Sequence, residues 1–70
     1  MMTVQLDRRL YKVGAVTEAA GDFSSLASFE IHSDRQNIHI TITEVDPDVA
    51  DVLVDEFLNF ALAATIAARG

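Results

Sequence analysis

The chain has 70 residues, half of them apolar, a formal net charge of −6 and no cysteine. The missing thiols exclude a disulfide framework, thiolate metal sites and a cysteine nucleophile. The acidity sets the surface against nucleic acid and anionic membranes. A chain this short is one domain, residues 1–70, and domains near this size bury only about 60% of the surface their unfolded chains expose. The mean hydropathy of +0.23 is high for a chain with 23% charged residues. With no disulfide available, oligomerisation is the most accessible supplement to one small core.

Residues 3–7, TVQLD, alternate with Val4 and Leu6 on one side, the pattern of a short strand. The basic residues Arg8, Arg9 and Lys12 follow. Three charges make a weak case for nucleic acid, and a solvated turn accounts for them. Val13, Val16, Ala20 and Phe23 then recur at helical spacing. That predicts a helix from about Lys12 to Gly21. Gly14 weakens it by about 1 kcal/mol relative to alanine, and Gly21 is the expected left-handed stop.

Two runs of period two come next, ASFEIHS and NIHITIT, around the polar turn SDRQ. They predict a hairpin with Ala27, Phe29 and Ile31 on the same face as Ile38, Ile40 and Ile42. A two-residue loop at Asp34-Arg35 pairs Ile31 with Ile38 and Phe29 with Ile40. A four-residue loop keeps that pairing, and an odd loop needs a bulge. In this register Glu30 stands opposite His39, with His32 on the diagonal. Two imidazoles and a carboxylate form a candidate site for Zn²⁺ or Ni²⁺. An ordinary cross-strand pair on a solvated face also explains them.

Asp46-Pro47 is a helix-start signal, with Asp48 and Asp51 near the positive end of the dipole. The expected helix runs to about Ala68, with Gly70 after it. At about 22 residues it would be roughly 33 Å long. A 70-residue globule has a diameter of about 28 Å, so the helix would overhang its domain. One half of it carries Val49, Ala50, Leu53, Val54, Phe57, Leu58, Phe60, Ala61, Ala64 and Thr65. The other half begins with Asp51, Asp55, Glu56 and Asn59 and turns apolar at Leu62, Ala63 and Ile66. The last turns are apolar nearly all round, which predicts burial on more than one side. Phe57, Leu58, Phe60, Ala61, Leu62, Thr65 and Ile66 are the candidate interface, first of all with a second copy of the chain.

The expected fold class is α+β: a β-α-β-β-α domain with an antiparallel sheet, helices on its apolar face and a long C-terminal helix. Which hairpin edge the first strand takes is open. The acidic run Asp46, Asp48, Asp51, Asp55 and Glu56 lacks the alternating ligands and central glycine of a calcium loop. Ser24 and Ser25 have no partnered base, and no glycine-rich phosphate loop is present. The residues therefore point to a protein that is not an enzyme and needs no cofactor. No stretch reads as a targeting signal or as a span of about 20 apolar residues, so cytoplasmic residence is expected.

The order VQLDRRLYKVGAV, EAAGDF, hairpin, EFLNFAL resembles the small D proteins (HxsD) of His-Xaa-Ser systems, over most of the chain. The matching positions are Leu6, Asp7, Tyr11, Ala15, Val16, Ala19, Ala20, Phe23, Phe57, Leu58 and Asn59. Gly21, Phe60, Ala63 and Ala67 depart from the pattern, the last three toward a stickier helix. The resemblance implies a non-catalytic accessory role: assisting radical-SAM maturases or a precursor peptide with His-Xaa-Ser repeats. By analogy with other such systems, a peptide would add to the open sheet edge. Two alternatives remain: an unrelated small acidic dimer that sequesters a basic partner, as an antitoxin does, and a metal-binding protein using Glu30, His32 and His39.

Overall fold

The computed structural model describes residues 1–69, Arg69 by its backbone alone; the expected stop at Gly70 lies outside the described residues. The order is β1 (Met2–Asp7), α1 (Val13–Asp22), β2 (Ser28–Ser33), β3 (Asn37–Thr43) and α2 (Leu53–Arg69). The α+β class and the antiparallel sheet are as expected. β3 lies in the middle, in the order β1-β3-β2, so β1 takes the β3 edge of the hairpin. Val4 stands opposite Ile40 and Leu6 opposite Ile38.

Alternation places Met2, Val4 and Leu6 of β1, Ile38, Ile40 and Ile42 of β3, and Phe29 and Ile31 of β2 on one face. The three isoleucines of β3 are fully buried, as the central strand of a one-sided sheet must be. Val16, Ala19, Leu53, Phe57 and Ala61 close the core from the helices. The other face carries Thr3, Gln5, Glu30, His32, His39 and Thr41.

The hairpin register differs from the expected one. Ile31 faces Ile40, Phe29 faces Ile42 and His32 faces His39. The Asp34 N–H donates to the Asn37 carbonyl at 2.9 Å, so the loop residues are Arg35-Gln36, not Asp34-Arg35. Each pair moves along by two residues, which leaves both faces unchanged. The Asp34 side chain is the cause. Its Oδ1 accepts the N–H groups of Gln36 at 2.8 Å and Asn37 at 2.7 Å, an aspartate-built turn. The freed Asp34 carbonyl accepts the Arg8 guanidinium.

Both helix ends also differ. Gly21 lies inside α1 with no left-handed backbone. The helix unwinds instead through turns in which Ser24 N–H reaches the Gly21 carbonyl and Leu26 N–H the Phe23 carbonyl. After β3, Glu44 takes a left-handed φ of 53°, and the chain leaves the sheet there. Asp46 does cap, its Oδ1 accepting the Asp48 N–H at 2.9 Å, but the cap opens a run of turns rather than the helix itself. Val49 bonds back to Asp46 and Val52 to Val49 before Leu53 settles on Val49. These tight i→i+3 bonds delay α2 to Leu53. Its 17 residues span about 26 Å, inside a molecule 33 Å long. At that length α2 no longer exceeds the globule diameter of about 28 Å on which the expected overhang rested.

Gly14 and Gly21 sit in α1 with no neighbour within 4 Å of an added Cβ and no positive φ. Gly14→Ala and Gly21→Ala should each raise stability by about 0.5–1 kcal/mol, read as a higher denaturant midpoint. A lower midpoint in both would show that the glycines serve the fold itself.

Candidate interaction surface

Four residues of α2 spaced by four, Leu53, Phe57, Ala61 and Thr65, are buried to within 1% of completeness. That stripe is what the helix spends on its own core. Phe57 stacks on Phe29 of β2, centroids 4.8 Å apart and planes 22° apart. Phe23, just past α1, meets Phe57 edge-on at 5.9 Å and Phe60 at 5.8 Å. Thr65 is the one fully buried polar side chain among the described residues. Its hydroxyl donates to the Ala61 carbonyl at 2.8 Å and accepts the Lys12 N–H at 3.1 Å. Lys12 is the N-cap of α1 and supplies no side-chain cap of its own. A residue of α2 thus satisfies an orphan donor at the start of α1.

The seven candidate interface residues separate. Phe57, Ala61 and Thr65 are core, because their side chains are spent inside the chain, so the interface assignment is corrected for those three. Leu58 is half-buried against the core. Phe60, Leu62 and Ile66 are exposed at 37%, 39% and 59%. At 100° per residue, Leu62 and Ile66 fall opposite Phe57. Phe60 lies between, on the α1 side, and with Glu18, Ala63, Ala64, Ala67 and Ala68 it lines an open groove between the helices. Of the resemblance positions, Tyr11 and Phe23 pack on the core with Phe57 and Leu58, and Asn59 is exposed.

Glu30, His32 and His39 do share the outer sheet face, but each histidine finds a different acid. His32 Nε2 lies 3.1 Å from Glu30 Oε1, and His39 Nε2 lies 3.1 Å from Asp34 Oδ2. No group of three such side chains is placed to hold a metal ion among the described residues. Asp34, which sequence reasoning treated only as turn polarity, holds the hairpin end. The Gln36 and Asn37 N–H groups, then His39, pull its carboxyl down from 3.8 to about 2. The basic residues are structural too. Arg9 Nη2 pairs with Asp7 Oδ2 at 2.8 Å, and Arg8 and Arg9 line a cavity with Asp7, Arg35, Gln36 and Asn37. No helix among the described residues is long and apolar enough to cross a membrane.

Comparison with protein-family models, curated proteins and solved structures finds no match to this chain.

Two measurements probe these contacts. Thr65→Val keeps the shape, strands the Lys12 N–H and should cost about 1–3 kcal/mol in chemical denaturation. An unchanged midpoint would remove Thr65 from the account. Asp34 has a depressed folded-state pKa, so its contribution is complete above the ordinary 3.8 and drains as pH falls toward about 2. Between those values the denaturation midpoint should fall more steeply in wild type than in Asp34→Ala. Parallel profiles would show that the turn bonds do not favour the carboxylate.

Proposed function

We propose that this protein is a non-catalytic binding module whose contact surface is the outward side of α2. One observation carries the reading: Phe60, Leu62 and Ile66 are exposed on a helix that already buries a complete stripe in its own core. Scattered apolar residues are ordinary on a surface. Three large ones gathered on about two turns of one helix, with exposed Ala63 among them and exposed Ala67 next to Ile66, form a patch of the kind that marks contact sites.

The resemblance to small D proteins of His-Xaa-Ser systems supplies the setting for that module, as an accessory that helps a radical-SAM maturase hold its precursor peptide. The motif residues Tyr11, Phe23, Phe57 and Leu58 pack on the core. They support a shared scaffold, and Phe60, Ala63 and Ala67, where this chain departs from the pattern, are exposed. β1 and β2 are the edges of the sheet, so a peptide has an edge strand to join.

Co-purification with a radical-SAM maturase and a precursor peptide carrying His-Xaa-Ser repeats tests the setting and the surface together. Wild type should be retained at micromolar concentration, and Leu62→Asp and Ile66→Asp should be lost while keeping wild-type circular dichroism. Loss of wild type from every such partner would overturn the setting. Retention of both variants would overturn the surface.

A further inference from the structure

The outward side of α2 is the ridge of a groove whose other wall is α1. Glu56, Phe60, Ala63 and Ala67 succeed one another at i, i+4, i+7 and i+11, a single stripe along one side of α2. Phe60, Ala63 and Ala67 line the groove with Ala64, Ala68 and, across from them, Glu18. Alanine makes a floor low enough for another backbone to approach, Phe60 makes one end wall, and Leu62 and Ile66 form the crest.

The rim has one sign of charge toward the start of α2. Glu18 lines the groove. Asp22 and Glu56 are exposed on the same stretch of the two helices, where Phe23 joins the end of α1 to Phe60. Asp51 and Asp55 stand exposed at the same end of α2. These carboxylates and a net charge of −6 work against a second copy, which would bring the same acids with it. They suit an apolar segment flanked by lysine or arginine. The exposed side of α1 adds a feature the fold does not explain. Gly14 and Gly21, four residues before and three after Glu18, lower helix propensity, yet a Cβ added at either would meet no neighbouring atom within 4 Å.

We infer that the α1–α2 groove of this chain takes an amphipathic helix, apolar on the face laid into the groove and basic on the side facing Glu18, Asp22 and Glu56. The inference rests on the contact-surface reading of α2 and names the partner's chemistry. Recognition is helix-in-groove: the partner's apolar anchors sit over Ala63 and Ala67 beside Phe60, and its cations meet the acidic rim. The rim pairs set orientation and speed of association more than affinity.

The protein contains no tryptophan, so a tryptophan in a peptide reports binding without background. The probe is a synthetic peptide of about 14 residues, roughly 21 Å as a helix. It carries leucines and one tryptophan along one face and lysines on the other. Its emission should shift to the blue and saturate at one peptide per chain. A scrambled peptide of the same composition, and a version with glutamate for lysine, should not saturate. Ala63→Lys should weaken binding about tenfold or more, the scale of a blocked anchor site. Glu18→Lys should weaken it and reduce its salt dependence. Both residues are exposed, and circular dichroism checks that the variants fold.

Equal binding of the scrambled peptide, or an Ala63→Lys variant that binds like wild type, overturns the inference. Sedimentation of the free protein separates this failure from that of the reading beneath it. A wild-type dimer that Ile66→Asp dissociates gives the face to a second copy, so the contact surface stands and the basic helix falls. A monomer that leaves the peptide unbound and is retained by no partner in co-purification overturns both.

Discussion

Phe57 is the contact on which the rest of this small structure depends. Its ring stacks on Phe29 from the sheet and makes a T-shaped contact with Phe23 from the end of α1. One side chain therefore joins β2, α1 and α2. Aromatic pairs of this kind add about 0.5–1.5 kcal/mol each to the area they bury, in a domain whose total stability is small. Fixing Phe57 also fixes what the remainder of α2 does. With residue 57 pointing down, 53, 61 and 65 point down with it, and 62 and 66 point away. Phe60 lies between these directions, held at one edge by Phe23 and open at the other.

Polar contacts hold the ends where aromatic packing does not reach. At one end of the molecule Thr65 ties the last turns of α2 to Lys12, where α1 begins. At that same end Arg8 reaches the hairpin turn through its guanidinium and, by its N–H, the Gln36 carbonyl at 3.0 Å. At the other end Asp46 N–H bonds the Leu26 carbonyl at 2.7 Å, joining the approach to α2 to the loop before β2. The three links convert one hydrophobic layer into a closed fold. They also keep β1, whose edge has no partner strand in the sheet order, anchored through the residue that comes after it.

Much of this was legible in the sequence. Alternation at residues 29–31 and 38–42 showed both strands and their buried face, because a one-sided sheet imposes period two on every residue. The register was not legible, because a side chain sets it. The Asp34 carboxylate takes the bonds a backbone carbonyl would otherwise accept, and shifting the loop by one residue leaves the alternation unchanged. The start of α2 misled for a related reason. Asp46-Pro47 caps a run of tight turns as readily as it caps an α-helix, and hydrophobic spacing at 49–54 does not separate them. The left-handed Glu44 has no sequence signature, since glutamate rarely adopts that conformation. The surface of α2 was half legible: the excess of apolar residues was plain, but which ones the chain consumes itself depends on the rotation of the helix about Phe57.

That rotation brings several unexplained costs of the sequence together, although Leu10 and Val52 are exposed elsewhere. Exposed Leu62 and Ile66, alanines where longer side chains would cover the helix, and two glycines inside α1 each forgo stability that a free-standing domain of this size could use. They lie on the outward side of the helix pair, whereas the sheet's outer face is uniformly polar and each of its two histidines is paired with an acid. Their gathering on one side of two packed helices is the physical basis of the contact surface we propose, and the acids at its rim narrow which partner chemistry would suit it.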